Sequence, residues 1–206
     1  MTIDSQDILN SILASLERID YIKPGEIPNI DLYMDQVTTF MEKHLQSSKR
    51  YPEDKILTKT MINNYAKNRL LPAPDKKKYS KEHMLLLIYI YYYKSILSIG
   101  DIQSLLEPLT ERYFHTNSPL NMQAVYEEVF ALEKSQVEKM KQDVTEKFKT
   151  ASETFPDAAQ EERQFLQLFS FICLLSFDVY VKKQVIEKLI DQLPRREEAK
   201  KHKENA

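Results

Sequence analysis

The sequence has no tryptophan, two glycines and a single cysteine among 206 residues. So few glycines exclude an architecture of many short strands, which needs turn residues at close spacing. One cysteine, Cys173, excludes an internal disulfide, and the four histidines (His44, His83, His115, His202) share no ligand spacing with it or with each other. No metal or other cofactor is expected. Cys173 sits in an apolar run and reads as a small core residue. The N-terminal stretch lacks a basic segment followed by an apolar one, so no secretory signal is visible. The richest apolar run, 165–181, carries Gln167, Ser170, Ser176 and Asp178. An aspartate in mid-membrane costs about 2.5–3.5 kcal/mol on insertion scales. That run is therefore expected to be a buried helix in a cytoplasmic protein.

What is present is helix-forming. Leu, Ile, Lys, Glu, Gln and Met dominate, and the 42% apolar content suffices for one domain with an appendage or for two small ones. The formal net charge is −2, but its distribution is uneven. Between Lys49 and Glu82 lie ten basic and four acidic residues, a local +6 that leaves −8 elsewhere. A basic segment on an acidic body suits a face that meets phosphates, and it equally suits a solvated lysine-rich loop.

Periodicity divides the chain. Ile8, Leu9, Ile12, Leu13, Leu16 and Ile19 form one helical stripe over 5–20, closed by Lys23-Pro24-Gly25. A second stripe runs from Leu32 to Leu45 with Asp31 as its cap, followed by a loop over 46–57. Thr58 can cap a short helix to about Asn68. At about 100° per residue, Met61, Ile62 and Tyr65 face inward while Lys59, Thr60, Asn63 and Lys67 face outward. Amides, a hydroxyl and lysines on one face suit base edges and phosphates.

Leu70-Leu71-Pro72-Ala73-Pro74 ends that helix, and the charged turn Asp75 to Lys78 precedes a Ser80-capped helix running to about Leu97. That helix is apolar all round, so something beyond its own small domain is expected to cover it, a second copy of the chain being one candidate. Ser98 with Asp101 caps a further short helix ending near Pro108. Ser118-Pro119 opens a long helix to about Glu153, whose seam Val137, Met140, Val144, Phe148 resembles part of a coiled coil. A last helix follows over 157–193 with a broad apolar face.

Four stretches, in order, carry a family resemblance: Thr60-Met61-Ile62-Asn63-Asn64-Tyr65, Leu70-Leu71-Pro72-Ala73-Pro74, Tyr79-Ser80-Lys81-Glu82-His83-Met84, and Leu97-Ser98-Ile99-Gly100-Asp101-Ile102. Together they resemble the DNA-binding domain of MerR-type winged helix-turn-helix regulators, and a bacterial family of unassigned function built on such a domain. The resemblance covers about 80 residues. Asn63 stands where the family carries a phosphate-contacting arginine, Arg69 where it carries glycine, the wing is short, and the loop over 46–57 is long.

The resemblance implies a mainly α fold: an N-terminal helix (1–29), a winged helix-turn-helix (30–109), a helical dimerisation or effector region with a long helix pair (110–194), and a charged tail (195–206). It implies a transcriptional regulator that binds double-stranded DNA as a homodimer. The implied DNA-binding residues are Lys59, Thr60, Asn63, Asn64, Tyr65, Lys67, Arg69, Lys76, Lys77, Lys78 and Tyr79. The alternative is a protein-interaction module that keeps the scaffold without DNA. No nucleophile triad, phosphate loop or metal spacing points to an enzyme, and the glutamate pairs Glu127-Glu128 and Glu161-Glu162 read as helix-surface charge.

Overall fold

The computed structural model describes residues 5–16 and 22–193. The chain is mainly helical and divides into two compact units. One combines 1–21 with 129–184, and the other combines 22–128 with 185–206.

The larger unit opens with a 3-10 turn at Pro24–Glu26, then β1 (Leu32–Tyr33) and α2 (Met34–Leu45). Asp31 does not cap α2. The chain stays extended through Tyr33, whose N–H donates to Gln36 Oε1 at 2.9 Å. Extension at Leu32–Tyr33 lets them pair antiparallel with β2 (Lys78–Tyr79), Leu32 opposite Tyr79 and Tyr33 opposite Lys78. Between the strands lies α3 (Lys59–Lys67), capped as expected by Thr58, whose hydroxyl accepts from Met61 N–H at 3.2 Å.

Next come α4 (Lys81–Tyr93) and α5 (Ile99–Tyr113). The apolar helix α4 is the axis of this unit: every residue from His83 to Ile90 is buried. Its apolar girth is thus covered within one chain, contrary to the expectation that a partner was needed for it. Ser98 caps α5 with Asp101 as expected, but α5 runs on through Pro108 to Tyr113. Buried Ile102 and Leu106 hold the turns that lead into Pro108, and the helix continues past the one backbone bond lost there.

Residues 110–128 also belong here, beyond the boundary expected at 109. Tyr126, fully buried, stacks edge-on to Tyr89 and donates its hydroxyl to Ile22 O at 2.6 Å. His83 is the buried polar residue of this core, 2% exposed between Tyr79 and Phe114. Its Nδ1 lies 3.0 Å from Ser80 N and accepts that N–H, so the neutral ring carries its proton on Nε2. Burial lowers His83 to about 4, while the carbonyls of Ala73 and Pro72 pull the other way without reaching hydrogen-bond geometry.

The smaller unit contains α1 (Ser5–Leu16), α7 (Val137–Ser152) and most of α8 (Gln160–Ile190). The single helix expected from Ser118-Pro119 to Glu153 is two, because the chain turns at Gln136. The first, α6, is Met122–Ser135 and starts at Asn121, whose side chain accepts from Ala124 N–H at 3.0 Å. Leu9, Ala151 and Phe171 form the core, with Phe148 edge-on to Phe171 at 5.4 Å. The seam Val137, Val144, Phe148 is half-buried within the chain, and only its Met140 is largely exposed. Gln167 binds the carbonyls of Ser152 and Thr154, fastening α8 to the end of α7.

Two expectations for α8 are overturned. It is 31 residues long and apolar enough to cross a membrane by length and composition, yet it is almost entirely unburied in the single chain. Cys173 is exposed with it. The helix has apolar side chains around most of its circumference, and α1 and α7 cover one side only. The end of the first stripe (17–20) and the charged tail (195–206) lie outside the described residues.

Candidate nucleic-acid interface

The outer face of α3 carries Lys59, Thr60, Asn63, Asn64 and Lys67, all exposed, while Ile62 and Tyr65 are buried. The helical phase read from the sequence is therefore correct. Of the eleven expected contact residues, Tyr65 and Tyr79 are excluded as surface groups. They are 7% and 3% exposed, and burial raises the pKa of both phenols. Their place in the core follows from phase for Tyr65 and from strand pairing for Tyr79, so both support the site from behind.

Helix α3 ends in a Schellman motif. Leu70 N–H donates to Tyr65 O at 2.9 Å and Arg69 N–H to Ala66 O at 3.2 Å. That motif needs a left-handed residue, and Arg69 supplies it with φ 59°. Buried Leu70 packs where the motif wants an apolar contact with Tyr65. Arg69 lines a cleft of about 290 Å³ with Gln103, Glu107 and Glu111 of α5.

Five residues past the end of that motif the chain makes a tight hairpin turn. Lys78 N–H donates to Asp75 O at 2.8 Å, and Asp75 bridges Lys78 antiparallel. The two central residues are Lys76 (φ 46°) and Lys77 (φ 67°). Two successive positive φ angles define a type I′ hairpin turn, the position that favours Asn-Gly. A side chain with a Cβ costs roughly 1–2 kcal/mol in this region. Lysine at both positions adds like-charge repulsion at the tip.

The turn and the start of α3 are anchored on one short stretch. The Lys78 ammonium lies 5.3 Å from the centroid of the Tyr33 ring. Two residues on, Asp35 pairs with Lys59. Both partners of that pair are more than half exposed, so the bond is weak and exchangeable. Elsewhere in the basic segment, Lys49 is paired with Glu42, which removes it from the free charge.

Sequence reasoning missed Tyr33 and Asp35, because a helix was expected to start at Leu32. It also missed Asn68, exposed at the α3 C-cap beside Arg69. The four-residue spacing Asn64 to Asn68 was the available signal.

No curated protein and no solved structure matches the chain. Residues 22–129 match a family described as a domain of unknown function, DUF1836. The match begins where the larger compact unit begins and ends one residue beyond the 128 at which its continuous stretch stops. It spans more than half of the sequence, and the chain belongs to the DUF1836 family.

Proposed function

We propose that this protein is a DNA-binding transcriptional regulator of the MerR-like winged helix-turn-helix type. Helices α2 and α3 are the helix-turn-helix pair, and the Asp75 to Lys78 hairpin, paired through β2 to β1, is the wing. The observation that carries the reading is the placement of Arg69, Lys76 and Lys77 at three left-handed backbone positions. Glycine or asparagine would suit each of these positions better. Cations held there at a conformational cost are explained by a phosphate backbone that needs them.

In this reading α3 enters the major groove. Thr60, Asn63 and Asn64 meet base edges, where asparagine can pair with adenine. Lys59, Lys67, Arg69 and the hairpin lysines meet phosphates on either side. Asn63 in place of an arginine moves the phosphate contacts to the ends of the helix and to the turn.

The test is fluorescence anisotropy of the full chain with duplex DNA at several salt concentrations. Replacing Lys76, Lys77 and Lys78 by alanine should weaken binding to every duplex. It should also flatten the log–log salt slope by about one to three phosphate contacts per subunit. Changing Thr60 or Asn63 should alter the preferred sequence and leave the slope nearly intact. Failure of the wild type to bind any duplex at low salt would leave the protein-interaction module as the reading.

A further inference from the structure

The cleft beside the end of α3 has no part in the DNA reading. Its volume is about 290 Å³, just under the roughly 300–1,000 Å³ of pockets that hold drug-sized ligands, so it suits something smaller. One wall is α5, where Gln103, Glu107 and Glu111 recur every four residues and form one polar stripe along the helix. The other wall is Arg69, with Ala66 before it and Pro72 after it. Thr110 also lines the cleft, but its hydroxyl is spent on Leu106 O at 2.8 Å within α5.

Both walls are held in place. Buried Ile102 and Leu106 seat α5 in the core. Opposite them, Leu70 and Leu71 are buried, and their N–H groups both donate to Tyr65 O, at 2.9 and 3.2 Å. On the other side of Arg69, Asn68 N–H donates to Asn64 O at 2.9 Å. The Arg69 side chain therefore springs from a backbone fixed before and after it.

Opposite charges line this one cleft without closing on each other. Among the described residues, the Arg69 guanidinium, the Glu111 carboxylate and the Gln103 side-chain amide have no hydrogen-bond or ion-pair partner. A simple anion would answer the guanidinium alone, and a simple cation the carboxylate alone. A molecule with one carboxylate and one ammonium answers both, and its charges sum to zero, as do those of Arg69 and Glu111. A carboxylate on an arginine can pair through two parallel bonds, the strong geometry for this contact. The Gln103 side-chain oxygen can accept a further ammonium proton, and Ala66 and Pro72 leave an apolar margin for a small side chain.

We propose that this cleft binds a free amino acid, with its carboxylate on Arg69 and its ammonium on Glu111. The site lies within the matched family domain. Binding stands without the DNA reading, and its consequence for DNA rests on that reading. Arg69 cannot serve a ligand carboxylate and a phosphate at once, so amino acid and duplex weaken each other by the same factor.

Melting the full chain with each common amino acid at about 10 mM identifies the ligand. At least one should raise the midpoint by a few degrees, as for a dissociation constant on the order of 1 mM, which isothermal titration then reads. Its N-acetyl derivative lacks the ammonium and its methyl ester lacks the carboxylate, so each should bind roughly tenfold more weakly. Glu111→Gln should weaken binding by a similar factor and leave the melting of the free protein unchanged. Arg69→Gly should also lose the ligand while melting no lower than wild type, since glycine suits the left-handed position. In duplex anisotropy the ligand should weaken wild-type binding several-fold and flatten its salt slope by about one contact, with little effect on Glu111→Gln. No melting shift with any amino acid, an equal shift with the blocked derivatives, or a shift that survives in both variants would overturn the proposal. Amino-acid binding by a chain that binds no duplex would keep the site and remove the DNA reading. Duplex binding untouched by the bound amino acid would keep the site and overturn the competition for Arg69.

Discussion

Lys76 and Lys77 occupy left-handed positions that another pair of residues would fill at lower cost. Replacing them with Asn and Gly supplies the preferred pair for a type I′ turn. The double variant should gain about 1–2 kcal/mol, enough to raise the melting temperature by several degrees in a domain of this size. Under the proposed DNA reading the same variant should lose DNA affinity and salt dependence, and a variant that melts no higher than wild type would show that the turn is unstrained. His83 behaves differently. Its ring is neutral in the fold and held near 4, against about 6.5 in the unfolded chain, so the unfolded state binds the extra proton between those values. Stability from this residue is complete above pH 6.5 and falls as pH drops toward 4, by about 3 kcal/mol in all. Comparing denaturant midpoints of wild type and His83→Gln across that range isolates the effect. Parallel pH profiles for the two proteins would refute it.

Helices declared themselves in the sequence where Thr58 and Ser98 stood before an apolar stripe, though not where Asp31 did. Thr58, Ser98 and Asp101 marked helix starts that the structure keeps. The outer face of α3 was legible for the same reason, since its inward residues had a clear phase. The misreadings have local causes. Pro108 signals a helix end only if its neighbours are not held in place, and Ile102 and Leu106 hold them. Strand β1 is two residues long, so alternation cannot reveal it, and it exists because β2 pairs with it. Ser118-Pro119 offered a strong start, yet Asn121 caps three residues later. Left-handed backbone at Arg69, Lys76 and Lys77 was invisible because none of the three is glycine or asparagine. At α8, composition could report only that the helix is apolar. Whether its far side meets its own chain or another depends on tertiary packing, which put Cys173 on the surface.

At the scale of the molecule, the larger unit has a core of its own within its continuous stretch 22–128. Leu32, Val37 and Met41 precede it, α4 passes through its centre, and Ile102, Leu106 and Tyr126 close it. A fragment of residues 22–129 should therefore fold alone and give dispersed amide resonances with one cooperative melt. Under the proposed DNA reading it should also bind duplex DNA, though more weakly than the whole chain because a lone domain grips one site where a dimer grips two. A fragment that is molten or insoluble would mean that the family boundary cuts through a shared core.

The hydroxyl of Tyr126 on the carbonyl of Ile22 joins positions 104 residues apart in the chain. It brings the two ends of the continuous stretch 22–128 close together. A domain with adjacent ends can be spliced into a loop of a host with little disturbance, since the host sees only a short gap to bridge. The 22–129 segment is in that sense a cassette.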